Sequence, residues 1–123
     1  MNKLNVVGGL LIKNNKVFLP KRSGKLKHSP NKYEFPGGKV EKNETFEEAL
    51  KRELKEELSI NVELNDIKKF PNNILETEKI LLTIFIVKNW KNELTINTEI
   101  NSEILEIDLD ELKNVEDLLE TDK

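Results

Sequence analysis

A cluster of glutamates on a predicted helix constrains this chain more than any other feature. Residues 52–57 read Arg-Glu-Leu-Lys-Glu-Glu, so Glu53, Glu56 and Glu57 are spaced i, i+3 and i+4. On a helix of 3.6 residues per turn the three carboxylates share one face, where each like-charged pair costs about 0.2–0.5 kcal/mol. A hard divalent cation reverses that cost, because Mg²⁺ prefers carboxylate oxygens as protein ligands. The pattern therefore predicts a helix that carries a metal site.

The same helix has a recognisable start and an apolar side. Thr45-Phe-Glu-Glu48 is a capping-box pattern, which predicts Thr45 as the N-cap and Glu48 at the third helical position. Beside the glutamate face runs an apolar stripe of four residues, Phe46, Leu50, Leu54 and Leu58. The helix is thus expected to bury one side in a core and to present carboxylates on the next.

Length and composition limit the class of protein. The 123 residues fit a single domain, residues 1–123, with one core. A net charge of −3 gives no basic field for nucleic acid. The chain has no cysteine, which excludes disulfides and thiolate metal sites. With no signal peptide and no apolar run of about 18 residues, we expect a cytoplasmic protein without a nucleic-acid or membrane partner.

The apolar runs predict several strands around the helix, and hence an α+β fold. Residues 4–12 read as a buried strand, and a turn at Asn14-Asn15 returns the chain as a hairpin through residues 16–21. A short strand is expected at residues 33–35, before a turn at residues 36–38. The second half predicts strands at residues 62–75 (interrupted at 71–73), 79–90, 94–96 and 104–109, with helical starts at residues 108–113 and 114–123.

The glutamate cluster extends upstream to Glu44 and Gly38 at fixed spacing. With U for an apolar residue, the chain resembles the Nudix box, Gly-x5-Glu-x7-Arg-Glu-U-x-Glu-Glu-x-Gly-U, at every fixed position except the last glycine, where Ser59 stands. Residues 31–39, Asn-Lys-Tyr-Glu-Phe-Pro-Gly-Gly-Lys, resemble the segment before the box in MutT-type 8-oxo-dGTP diphosphatases. The likeness weakens after about residue 90. It implies the Nudix fold, a mixed β-sheet sandwiched between helices.

The resemblance implies a set of metal ligands and catalytic residues. Mg²⁺ or Mn²⁺ is expected to be held by Glu53, Glu56, Glu57 and the backbone carbonyl of Gly38. The expected catalytic residues are Arg52, Glu53 and Glu56. Arg52 is expected to orient a neighbouring glutamate through a charge-assisted hydrogen bond. Glu53 is the first choice for the general base, although family members also use a glutamate from a later loop.

Further site residues are implied outside the helix. Glu99 is expected to supply an extra metal-binding carboxylate, with Glu103 as its competitor. Arg22 and Lys39 are expected to contact phosphates. The guanidinium of Arg22 can donate two parallel hydrogen bonds, and the ammonium group of Lys39 supplies a compact positive charge. Asp122 is expected at the position that reads the base of the nucleotide.

Two box positions are expected to serve structure rather than chemistry. Glu44 stands near the helix start and is interpreted as a supporting residue rather than a ligand. Ser59 replaces a glycine that commonly ends the helix in a left-handed conformation. Asn61 or an altered turn is therefore expected to cap the helix, with a consequence for stability only.

The resemblance implies an enzyme that uses Mg²⁺ to hydrolyse 8-oxo-dGTP, or a related oxidised nucleotide, to a nucleoside monophosphate and pyrophosphate. Such an enzyme clears the nucleotide pool and so protects DNA. Its partner is a small-molecule nucleotide, and the protein is expected to be a monomer or homodimer. Dinucleoside polyphosphates and cytidine-type triphosphates are alternative substrates, and a nucleotide-binding Nudix module without turnover is the alternative of another class.

Overall fold

A computed structural model describes residues 3–22, 34–97 and 101–111 of the chain. They form a mixed six-stranded sheet with one α-helix: β1 (Leu4–Lys13), β2 (Lys16–Arg22), β3 (Gly37–Lys39), α1 (Phe46–Leu58), β4 (Ile67–Glu76), β5 (Ile80–Val87) and β6 (Asn101–Asp108). The predicted α+β class is confirmed, while the predicted helix at residues 114–123 lies outside the described ranges. Within those ranges no helix has the length and apolarity needed to span a membrane.

Strand β1 is the centre of the sheet, whose order is β4-β5-β1-β2-β6. One edge of β1 pairs in parallel with β5 along most of its length. The other edge is shared, because β3 pairs with its first half and β2 with its second half, both antiparallel. In this arrangement Gly38 lies opposite Val7, beside the middle of the sheet.

Helix α1 packs on one face of the sheet and its predicted stripe is confirmed. Leu50, Leu54 and Leu58 are fully buried in a cluster with Val7 and Leu11 of β1. Burial of one such side chain contributes about 1.5–3 kcal/mol. The buried leucines therefore fix the rotation of α1 about its own axis. That rotation determines the direction in which the neighbouring glutamate face points.

The start of α1 is the predicted capping box. The Glu48 backbone N–H donates to Thr45 Oγ1 at 3.0 Å, and the Thr45 N–H donates to Glu48 Oε1 at 2.8 Å. These two bonds satisfy two backbone donors that a helix start otherwise leaves unpaired. The helix therefore begins at Phe46, as the sequence predicts.

The prediction for residues 33–38 is wrong in its described part. Glu34 and Phe35 are not in a strand, and the strand begins at Gly37, where a turn was predicted. The cause is close backbone approach: a Cβ on Gly37 would lie 1.9 Å from the carbonyl oxygen of Val7. Only a residue without a side chain fits against β1 here, so the glycine marks a pairing site rather than a turn.

Two strand predictions in the second half need smaller corrections. The strand predicted over residues 62–75 begins only at Ile67, after a short 3₁₀ turn at Leu64–Asp66, and its register against β5 shifts between Lys69 and Ile74. Residues 94–96 are not a strand, because the Thr95 N–H bonds to the Leu58 carbonyl of α1 instead of a neighbouring strand.

The expectation for the helix end is also wrong, because Ser59 itself takes the left-handed conformation. Its φ is 61° and its ψ is 26°, and its N–H donates to the Lys55 carbonyl at 3.1 Å. Asn61 forms an isolated bridge with Lys91 instead of capping the helix. The helix thus ends as it would with glycine, but with a side chain that disfavours this conformation.

We expect Ser59→Gly to stabilise the protein by about 1 kcal/mol, because glycine adopts the left-handed conformation without that cost. Thermal unfolding should show a rise in melting temperature of about 4 °C. Ser59→Ala is the matched control, since it retains the Cβ and should bring no such gain. An equal rise in both variants would contradict the assignment of the cost to the backbone.

Candidate active site

The adjacent glycines of β3 bring the strand against the glutamate face of α1. A Cβ on Gly38 would lie 2.2 Å from Oε2 of Glu53 and 3.0 Å from its Oε1. The missing side chain of Gly38 therefore makes the space in which the Glu53 carboxylate lies. Two of the predicted ligand residues are thus brought into contact.

Glu57 joins the same strand from the next turn of the helix. Its side chain is buried, and its Oε2 accepts a hydrogen bond of 2.9 Å from the backbone N–H of Gly37. A carboxylate is costly to bury without a donor, and this bond offsets part of that cost. Glu57 thereby fixes the distance between α1 and β3 at the site.

Glu56 is the exposed member of the three glutamates on the helix face. Its side chain retains 57% of its accessible surface, compared with 15% for Glu53. The Nη1 atom of Arg52 lies 3.6 Å from Oε2 of Glu56 and 3.5 Å from Oε1 of Glu53. A largely buried and an exposed carboxylate thus meet at one edge of the helix, with the Arg52 guanidinium beside them.

The environment of Glu53 raises the pKa of its carboxyl group above the ordinary value. Burial is the main cause, and the neighbouring Glu56 carboxylate adds to it, while the positive charge of Arg52 acts in the opposite direction. The ionised form of Glu53 is therefore less stable in the protein alone than that of a carboxyl group in water. A bound cation would offset this cost, because it stabilises the charged form.

Arg52 makes its hydrogen bonds to the loop before the helix. Its Nη2 and Nε donate to Oε1 and Oε2 of Glu44 at 2.7 and 3.2 Å, and its Nη2 also donates to the Lys39 carbonyl at 3.0 Å. The Arg52 bonds, with a further bond from the Glu41 N–H, lower the pKa of Glu44, and the Glu44 bond raises that of Arg52. Glu44 therefore supports Arg52 and makes no contact of its own with the glutamate face.

The contributions of Glu41 and of the Lys39 carbonyl were not predicted from the sequence. Both act through backbone atoms, the N–H of Glu41 and the carbonyl of Lys39. Residue type gives no signal for such contacts. The available hint is the fork of donors on Arg52, eight residues after Glu44, which is interpreted from the sequence as a supporting residue.

The last turn of α1 is covered by the segment that precedes residue 98. The Thr95 N–H donates to the Leu58 carbonyl at 2.9 Å, and the Asn97 N–H donates to the Glu57 carbonyl at 3.0 Å. Glu99 lies outside the described residues, two positions after Asn97. Its competitor Glu103 is on β6, where it pairs with Lys21 at 3.6 Å.

The remaining predicted residues are less fully described. Lys39 is exposed, directly after Gly38. Arg22 ends β2 opposite Asn101, and its side chain is outside the described part. Asp122 lies beyond residue 111, outside the described ranges.

The chemistry of the donors fits a hard divalent cation. The carboxylates and the backbone carbonyl of Gly38 offer only oxygen atoms, the ligands that Mg²⁺ and Mn²⁺ prefer. Among the residues that the structure describes, no three acidic or histidine side chains already lie at a common metal-binding distance. The exposed side chain of Glu56 is the one that can move most readily to complete such a set.

Comparisons with known proteins identify the family of this chain. The NUDIX domain family matches residues 3–123. A Proteus vulgaris protein named 8-oxo-dGTP diphosphatase is 43% identical over 94 residues, covering 76% of this chain and 83% of that protein. A protein of the same name from Buchnera aphidicola subsp. Schizaphis graminum is 37% identical over 98 residues, covering 76% and 70%.

Solved structures show the same fold. The crystal structure of a MutT NUDIX hydrolase from Burkholderia pseudomallei matches with a TM-score of 0.78 over 89% of this chain and 86% of that one, at 20% identity. Nudix hydrolases generally need a divalent metal, and the oxygen atoms that Gly38 and Glu53 bring close together are suitable donors for such an ion. The family match includes the residues of the glutamate face. The chain therefore belongs to the NUDIX domain family, as a hydrolase of the MutT type.

Proposed function

We propose that this protein is a Mg²⁺-dependent diphosphatase that hydrolyses 8-oxo-dGTP, or a related oxidised nucleoside triphosphate, to the monophosphate and pyrophosphate. The observation that carries the proposal is the contact between Gly38 and the Glu53 carboxylate. This contact joins β3 and α1, which carry the first glycine and the glutamates of the Nudix box. The names of the relatives support the choice of substrate. The physiological role would be clearance of damaged nucleotides in the cytoplasm.

Glu53, Glu56, Glu57 and the Gly38 carbonyl are proposed to hold the cation, with Mn²⁺ as a substitute for Mg²⁺. When bound, such an ion neutralises phosphate oxygens and acidifies a coordinated water. The buried position of Glu57 and its bond from the Gly37 N–H support a fixed ligand. The exposure of Glu56 supports a mobile one.

Glu53 is proposed as the general base that takes a proton from the attacking water. Its raised pKa supports this role, because a carboxylate with a higher pKa is a stronger base near neutral pH. Arg52 is proposed to orient a neighbouring glutamate, and its hydrogen bonds of 2.7 and 3.2 Å to the Glu44 carboxylate support this. The water oxygen forms a bond to one of the two phosphorus atoms of the α–β anhydride while Glu53 takes one of its protons. The anhydride bond to that phosphorus breaks in line with the attack, which releases the monophosphate and pyrophosphate.

Substrate contacts are proposed for three residues. Lys39 is exposed next to Gly38, and Arg22 ends β2, so both are assigned to phosphate oxygens. Asp122 is proposed to read the base. Glu99 is proposed as an additional metal ligand, supported by the bond that places the Asn97 backbone on the Glu57 carbonyl. The partner is a small nucleotide in this proposal, with no nucleic acid or membrane, and the protein acts as a monomer or homodimer.

A panel of nucleotides tests the proposal. We expect 8-oxo-dGTP with Mg²⁺ to yield 8-oxo-dGMP and pyrophosphate, with a higher kcat/KM than dGTP, and chelation of the metal to abolish turnover. Chromatography of the products measures this directly. Faster hydrolysis of a dinucleoside polyphosphate or of a cytidine triphosphate would replace the substrate assignment. Binding without turnover of any member would identify a nucleotide-binding module instead.

A further inference from the structure

Arg52 lies between two sets of carboxylates and bonds to only one of them. Its Nε and Nη2 are within hydrogen-bond distance of Glu44, at 3.2 and 2.7 Å. Its Nη1 lies 3.5 Å from Glu53 and 3.6 Å from Glu56, beyond the 2.7–3.2 Å typical of N–H···O bonds. The guanidinium is therefore held by Glu44, and it makes no hydrogen bond with Glu53 or Glu56.

Glu44 is itself fixed in place. Its Oε1 accepts the Glu41 N–H at 2.8 Å in addition to the Arg52 bond, and its side chain is 17% exposed. The other Arg52 contact on this side is the Lys39 carbonyl at 3.0 Å. The Glu41 carboxylate is farther away, 3.8 Å from Nε, and largely exposed. Glu44 is thus the carboxylate that determines where Arg52 lies.

A guanidinium and a divalent cation compete for the same carboxylate oxygens. If Arg52 moved onto Glu53 and Glu56, it would occupy acceptors that a metal needs, and its charge would repel the ion. The bidentate pair with Glu44 prevents both effects, because it holds the guanidinium in place and balances its charge.

We propose that Glu44 is a positioning residue that sets the affinity of the site for divalent metal, by holding Arg52 back from Glu53 and Glu56. The inference rests on the proposed function, since it takes those two glutamates as metal ligands. Glu44 acts only through Arg52, so its effect should disappear when Arg52 is absent.

Mn²⁺ binding to the purified full chain tests the inference, with free Mn²⁺ measured by electron paramagnetic resonance and no nucleotide present. We expect Glu44→Gln to bind Mn²⁺ roughly tenfold more weakly than wild type, the usual size of such outer contacts. The double variant Glu44→Gln with Arg52→Gln should return close to wild-type affinity. Glu47→Gln, which removes the same charge from the first turn of α1, is the matched control and should leave the affinity unchanged.

The outcomes separate this inference from the proposed function. Absence of Mn²⁺ binding by wild type would contradict the proposed function itself. Wild-type affinity in Glu44→Gln, or equal weakness in the single and double variants, would overturn only the role of Glu44. Thermal melting without metal checks that each variant is folded. If glutamine prevents folding, Glu44→Asp keeps the charge and takes its place, and a loss of Mn²⁺ affinity of about tenfold in Glu44→Asp would also overturn the inference.

Discussion

Glu53→Gln is expected to lower kcat by about three orders of magnitude, because Glu53 is proposed both as the general base and as a metal ligand. The amide keeps the size of the side chain beside Gly38 but can neither accept the proton of water nor carry a negative charge. Steady-state kinetics at saturating Mg²⁺ measure the loss. Glu47→Gln on the same helix is the control, and a kcat equal to wild type in Glu53→Gln would refute the choice of base.

The same variant should be more stable than wild type when metal is removed. Burial raises the folded-state pKa of Glu53, so the folded protein binds a proton more tightly than the unfolded chain does. This contribution to stability is present in acid and is lost as pH rises through the folded pKa. Unfolding by denaturant in chelator should show that loss in wild type and not in Glu53→Gln. The opposite slope would contradict burial as the cause.

Gly38→Ala is expected to reduce kcat/KM about 100-fold, the cost of a misplacement of roughly 1 Å at a reacting group. The new Cβ would lie 2.2 Å from Oε2 of Glu53, so the carboxylate must move away. Because that carboxylate is the end of a flexible side chain, we expect little change in melting temperature. Activity assays and thermal melting on one preparation would measure both effects.

Gly37→Ala, at the neighbouring position, is the control. It is expected to lower the stability of the protein, whereas Gly38→Ala is expected to lower its activity. Its Cβ would meet the carbonyl oxygen of Val7 at 1.9 Å, and a backbone atom inside the sheet cannot move away easily. The free energy of unfolding should therefore fall by several kcal/mol, about the size of severe strain or overpacking effects. Equal loss of stability in both alanine variants would show that Gly38 serves the fold rather than the placement of Glu53.

The sequence predicts α1 accurately because the signals of a helix are local. The Thr45 cap, the Glu48 partner and the leucine stripe all lie within 14 residues, and each depends on helix geometry alone. Those signals also place the box glutamates on a common face. Strand β3 was missed because its position depends on pairing with Val7 and Gly8, far earlier in the chain. Glycines predict a turn when only their neighbours in sequence are considered.

The helix end at Ser59 differs from the prediction for another physical reason. The left-handed conformation costs serine only about 1–2 kcal/mol, which the buried leucines of α1 easily outweigh. The packing of the leucines holds the helix end in place, and Ser59 remains in the less favourable left-handed conformation. The Arg52 contacts were partly predicted from charge, but the acceptor turned out to be Glu44, since the loop from Lys39 folds back over the helix.

The parallel pairing of β1 with β5 bears on how the chain is made. The contacts of β1 with β2 and β3, together with α1, are complete once residue 58 has been synthesised, whereas Leu4 must wait for Ile80 to pair. Until then the nascent protein carries its whole Nudix box beside an open, strongly apolar strand edge. Such edges attract other chains. Arrested synthesis between these points would therefore leave a fragment that aggregates, even though every box glutamate is already in place.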